Sequence, residues 1–189
     1  MKRVTRDFIT LFNKFWYRDF PLVETHKDTG SRAEWTTHIG ICVRASADLM
    51  GYFTHFEQGN RTDAVIRDNR GNDIAHIEWE WKAAFREDVN EIRKLRDARG
   101  GAQFSAFISY SRHDHHRKNL SAIKRQWGKA DYPLVVILAT YEYHSRARWL
   151  DELVTYHLQR GTLRKVRAQP ANPWNVPGSR WQSIQRAGS

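Results

Sequence analysis

Three side chains near the middle of the chain have the types and the spacing to act together on a phosphate ester. Asp63 opens the apolar run Thr62-Asp63-Ala64-Val65-Ile66, and Glu80-Trp81-Lys82 closes a second run, with sixteen residues between the two acids. Residues 74–82 alternate with period two, so Ile74, His76, Glu78, Glu80 and Lys82 share one face of a strand, with Ala75, Ile77, Trp79 and Trp81 on the other. The intervening Asp68-Asn69-Arg70-Gly71-Asn72-Asp73 is dense in residues that accept turn conformations. A hairpin there returns Asp63 to the side of Glu80 and Lys82. Two carboxylates so placed offer hard oxygen ligands to Mg²⁺, or to Mn²⁺. An ammonium beside them can orient a metal-bound water or offset charge on a pentacovalent phosphorus. Like charges at Glu78 and Glu80 repel on one face unless a cation lies between them, which gives Glu78 a supporting place in the same cluster. The bland alternative is a solvated strand face backed by Trp79 and Trp81.

The elements that must position these groups follow from periodicity. Phe8, Leu11, Phe12 and Phe15 recur at helical spacing over residues 5–16, ahead of Pro21. Ser31 with Glu34 three residues on forms a capping box, after which Trp35, Ile39, Cys42 and Val43 mark a second helix through residue 49. Residues 53–56 and 62–67 read as extended. Phe85, Val89, Ile92 and Leu95 predict a helix that stops at Gly100-Gly101, and residues 104–110 a strand. Leu120, Ile123 and Trp127 predict a short helix, and residues 134–141 a strand buried on both faces. Leu150, Leu153, Val154 and Leu158 predict a helix over residues 146–160, with Gly161 as its stop. The order implies an α/β fold with a mixed central sheet flanked by helices. Residues 1–168 then form one domain, and residues 169–189 a basic tail containing Trp174 and Trp181, which either staple it to the domain or stack on bases.

Asp63 followed across a hairpin by Glu80-x-Lys82 resembles the PD-(D/E)xK signature of restriction-endonuclease-like nucleases, with Thr62 standing where the signature has its proline. The resemblance implies a restriction-endonuclease-like core. It implies Asp63 and Glu80 as metal ligands, Lys82 as the residue that activates water, and phosphodiester hydrolysis leaving a 5′-phosphate. A Glu from the first core helix joins such sites; Glu34 is the candidate, with its capping box as the competing explanation, and Glu57 is the fallback. The activity implied is that of a Mg²⁺-dependent, restriction-type endodeoxyribonuclease acting on double-stranded DNA. Cutting a palindrome would require a homodimer. The same residues admit other readings: a non-catalytic nucleic-acid-binding protein, or a nuclease of repair, recombination, homing or RNA.

Charge is consistent with a polyanionic partner. The chain carries 31 Lys and Arg against 21 Asp and Glu, a formal net charge of +10. The excess resides in two stretches: residues 111–129 hold six basic residues against Asp114, and residues 161–189 hold five and no acid. Arg112, Arg117, Lys118, Lys124, Arg125 and Lys129 are the expected phosphate contacts, which position a duplex without reading its sequence. The run His113-Asp114-His115-His116 offers zinc-type ligands, but neighbouring residues do not readily converge on one tetrahedral ion. Cys42 is a core residue by its position between Ile39 and Val43. No phosphate-cradling glycine loop argues for ATP use. The longest apolar run, residues 134–139, is far short of the roughly 20 residues a spanning helix needs. With one cysteine and no secretory signal, the expected setting is cytoplasmic, without membrane partners.

Overall fold

The computed structural model describes residues 1–21, 31–58, 62–98, 100–144, 147–179 and 181. Two helices open the chain, α1 (Arg3–Arg18) and α2 (Arg32–Leu49), followed by strands β1 (Phe53–Gln58), β2 (Thr62–Arg67) and β3 (Asp73–Glu80). Helix α3 (Glu91–Asp97) leads to β4 (Phe104–Arg112), and α4 (His116–Trp127) to β5 (Leu134–His144). Strands β6 (Ala147–Gln159) and β7 (Thr162–Pro170) complete a seven-stranded sheet whose spatial order equals its chain order. The pairs β3–β4 and β4–β5 are parallel and the others antiparallel. Parallel neighbours need a crossover, and α3 and α4 supply the two that this sheet uses.

Helices cover both faces, which explains why the central strands are buried on both sides. On one face Phe8, Phe12 and Trp16 of α1 and Trp35, Ile39 and Val43 of α2 pack on Ile66, Ile77, Phe104 and Ile137. On the other, Ile92, Leu95, Ile123 and Trp127 pack on Phe107, Val136, Leu138 and Leu158. Each such side chain contributes roughly 1.5–3 kcal/mol by leaving water. Asn13, fully buried on the α1 seam, donates to the Ile9 carbonyl at 2.8 Å and to Thr155 Oγ1 at 3.2 Å, while its Oδ1 has no hydrogen-bond partner. Among the described residues, no helix is long and apolar enough to cross a membrane.

Three sequence expectations change. The helix anticipated from Phe85 onward is confined to Glu91–Asp97, with turns before it. The third strand ends at Glu80, leaving Lys82 beyond it. Residues 147–159 are strand β6, not helix; Arg146 lies outside the described residues. Because β6 is covered on both faces, its apolar residues need not alternate: Leu150 and Leu153 serve one core and Val154 and Leu158 the other. Their helical spacing is coincidental, and the β-branched and aromatic run Val154-Thr155-Tyr156 is the better guide. Beyond residue 168, β7 continues to Pro170 and the following chain lies on α1. Trp16 Nε1 donates to the Ala171 carbonyl at 2.7 Å, Trp181 Nε1 to the Tyr17 carbonyl at 3.0 Å, and Trp174 meets Phe20 edge-on. Both tryptophans therefore staple this arm; residues 182–189 lie outside the described residues.

Gly161 is a turn residue rather than a helix stop. Arg160 (φ 51°) and Gly161 (φ 73°) form a two-residue turn closed by the Gln159–Thr162 pair, and both lie in the left-handed region. Gly161→Ala is therefore expected to destabilise the protein by about 1–2 kcal/mol in urea unfolding. A neutral or stabilising effect contradicts a left-handed conformation at this turn.

Candidate functional site

The register of the β2–β3 ladder decides which acids meet. Ala64 lies opposite Ile77, Val65 opposite His76 and Ile66 opposite Ala75, but Arg67 lies opposite Asp73, so a bulge falls between Ile66 and Arg67. Counting on from Ala64, Asp63 lies opposite Glu78. Without the extra residue it would lie opposite Ile77 and share that residue's face, against α1 and α2. The bulge turns Asp63 to the face covered by α3 and α4, a re-aiming that bulges perform elsewhere.

There half-buried Asp63 lies beside buried Glu78. The Trp79 N–H donates to Asp63 Oδ2 at 2.8 Å, where the ladder would otherwise use a main-chain carbonyl. Glu78 is 1% exposed, and Lys94 Nζ of α3 lies 2.8 Å from its Oε1. The amine is the near neighbour of Glu78 Oε1, which makes no hydrogen bond of standard geometry. Burial, first, pushes the Glu78 carboxyl up to about 8; Lys94 opposes the shift and the charge of Asp63 adds to it. Asp63 is also raised, chiefly by burial, while the Trp79 N–H and a hydrogen bond from Glu78 pull it down. One proton thus sits between the two carboxyls, on Glu78. Glu91, one turn before Lys94, is close enough to raise Asp63 further, and its Oε2 is buried without a hydrogen-bond partner.

The other anticipated members lie elsewhere. The Glu80 carboxylate folds back on its own chain, accepting from the Trp81 N–H at 2.7 Å and the Lys82 N–H at 3.0 Å. Lys82 is half-exposed and paired with Asp88. The expectation that Glu80 and Lys82 converge with Asp63 is therefore corrected: Glu80 is two residues past the position opposite Asp63, beyond the start of β2. Glu34 is exposed and serves its capping box with Ser31, which holds its carboxyl below the usual range. Glu57, exposed, borders a groove of about 510 Å³ that Asp63 also lines, with Phe56 and Trp79.

Sequence reading missed Lys94 and Glu91. The available signal was Glu78 itself, a carboxylate between Ile77 and Trp79 in a strand buried on both sides, which requires a cation from the covering helix. Among the described residues, no three His, Cys, Asp or Glu form a group able to hold a metal. The histidine run diverges: His113 pairs with Asp151 at 3.1 Å, and His116 bridges Ser111 Oγ at 2.9 Å and Tyr156 Oη at 2.8 Å. Arg117, Lys118, Lys124 and Arg125 project from α4 and Lys129 follows it, all exposed, whereas Arg112 is paired with Asp114. Lys165 of β7 is near enough to hold His116 below its ordinary range, behind the effects of burial and His113. Lys165 thus brings one cation of the second stretch to the α4 side of the sheet, the side that carries Glu78 and Lys94, whereas Arg164 lies on the α1 side.

No family model matches the chain, and no curated protein does. Among solved structures it is similar to that of the YaeQ protein from Xanthomonas axonopodis pv. citri, with 11% identity, 63% of this chain and 70% of that chain covered, and a TM-score of 0.28. That degree of likeness carries no argument. The class that stands on the coordinates themselves is a mixed α/β fold, a seven-stranded sheet flanked by helices.

Between pH 5 and 8 the folded protein holds a proton on Glu78 that the unfolded chain has released, so rising pH lowers stability through this group. One such proton is worth at most about 1.4 kcal/mol per pH unit. Glu78→Gln should lose that slope. The check is urea unfolding of both proteins across pH 5–8, read as their difference so that the buried histidines cancel; parallel curves contradict the assignment.

Proposed function

We propose that the protein is a metal-dependent nuclease with a restriction-endonuclease-like core, in which Asp63 and Glu78 hold the cation and Lys94 takes the part first given to Lys82. The observation that carries this reading is the juxtaposition of half-buried Asp63 with buried Glu78, whose Oε1 lies 2.8 Å from the Lys94 ammonium. Such a pair is unfavourable as it stands. Its buried Glu78 Oε1 and the neighbouring Glu91 Oε2 lack hydrogen-bond partners, so the residues present suit a hard cation that takes oxygen ligands. When bound, Mg²⁺ or Mn²⁺ would supply Lewis acidity toward a phosphoryl oxygen and lower the pKa of a water ligand.

The chain's own groups have distinct tasks in this reading. Asp63, held by the Trp79 N–H, is fixed in direction before any ligand arrives. Glu78 releases its proton to become a full ligand, so cation affinity rises with pH toward 8. Lys94 keeps a positive charge where negative charge develops on phosphorus. Exposed cations on α4 attract the backbone of DNA to the same side of the sheet, with Arg117, Lys118, Lys124 and Arg125 as phosphate contacts. Sequence-specific cutting of both strands would bring two copies together.

The competing reading is a non-catalytic nucleic-acid-binding protein. In it Lys94–Glu78 is a finished structural ion pair, which the lack of a three-ligand group among the described residues favours.

Supercoiled plasmid distinguishes the two. Nicking should require Mg²⁺ or Mn²⁺, cease in EDTA, and fall by about 100-fold or more in Asp63→Asn and Lys94→Ala. Lys82→Ala should stay within about threefold of wild type, since that lysine sits outside the cluster. Plasmid bound but uncut with either metal supports the binder. Loss of cutting in Lys82→Ala with Lys94→Ala intact overturns the site.

A further inference from the structure

A second chemically distinctive place lies on the opposite face of the sheet, where the start of α1 meets the β6–β7 hairpin. His157 is 9% exposed, and its Nε2 has no hydrogen-bond partner. It lines a hollow of about 550 Å³ together with Gln159, Arg160, Thr162 and Arg164. Among the described residues no acid lines that hollow, and its ionisable side chains are His157 and the two arginines. Arg160 is matched by Asp131, 2.7 Å away, whereas no ion pair of Arg164 occurs among the described residues. Met1 borders the same hollow, and α1 begins one residue after an N-cap, Lys2, that offers no side-chain cap. The first turn of α1 also contains no acid. Its leading N–H groups and the positive end of the helix are therefore uncompensated by side chains there.

His157 and Arg164, opposite one another across the strands, have no acid lining their hollow, so positive charge on both is repulsive. His157 registers this: burial lowers its pKa, and the Met1 α-amino group and Arg164 lower it further. A bound anion removes the repulsion and gives the buried imidazole a partner. The donors present fit a tetrahedral oxyanion, namely a guanidinium, an imidazole N–H, the Thr162 hydroxyl and the Gln159 amide. We infer that this hollow is a binding site for a phosphate group. It is separate from the acid cluster and does not depend on that cluster's chemistry, because successive strand residues alternate: Tyr156 and Lys165 face α4, and His157 and Arg164 face α1.

The probe is inorganic phosphate, titrated calorimetrically into the metal-free full-length protein at constant ionic strength with chloride as the balancing anion. Saturable binding is expected in the wild type, weakened about tenfold by Arg164→Ala and unchanged by Lys165→Ala, which removes equal charge from the other face of the same strand. His157→Gln should weaken it as well; because His157 is buried, the exposed Arg164 is the decisive variant. Displacement of phosphate by a short oligonucleotide lacking terminal phosphates supports the site as one for backbone phosphodiesters. Displacement only by a nucleoside 5′-monophosphate supports it as one for small phosphomonoesters. Absence of saturable binding, or equal losses in Arg164→Ala and Lys165→Ala, overturns the inference.

Discussion

A buried carboxyl group is the constraint on which the site depends. Glu78 is 1% exposed beneath α3, while its chain neighbours Ile77 and Trp79 face the other core, and an isolated charge there would cost several kcal/mol. Three features answer that cost at once. Glu78 retains a proton, Asp63 on the facing strand accepts a hydrogen bond from it, and Lys94 reaches down from α3. Each comes from a different element, so the cluster can exist only when hairpin, helix and sheet are all in place.

The sheet supplies that order through its coverage. Parallel pairing of β3, β4 and β5 places both crossovers on one face, while α1 and α2 occupy the other. Polar groups inside such a sandwich must be matched individually. Asn119 is, accepting from the Ala84 N–H at 2.7 Å and donating to Ser111. Glu78 is matched in charge yet keeps an unsatisfied oxygen, and Glu91 beside it does too. Other buried oxygens lack partners too, Asn13 Oδ1 and Gln126 Oε1 among them; Glu78 and Glu91 differ in being carboxyls.

Much of the scaffold was legible because amphipathic helices and fully buried strands leave strong periodic signals: α1, the capped α2, β4 and β5 all lie where apolar spacing placed them. Strand β6 was not, since apolar residues serving two opposite cores fell by chance at helical intervals, and Gly161 suits a helix stop and a tight turn equally. Asp63 and an acid on the third strand were also within reach of sequence reasoning. The partner was not, because a hairpin's residue composition predicts a turn but not its register. A single bulge at Ile66–Arg67 selects Glu78 rather than Ile77 as the residue facing Asp63. Lys94 belongs to a helix beyond the hairpin, so no spacing within the hairpin could reveal it.

The central claim is that Glu78 is a buried acid, paired with Asp63 and available to a cation. Its carboxyl carbon can be followed directly by NMR as pH is varied, with and without Mg²⁺. The account predicts a midpoint near 8 in the absence of metal, moving downward when the ion is added. A midpoint at the ordinary glutamate value, insensitive to Mg²⁺, would contradict it.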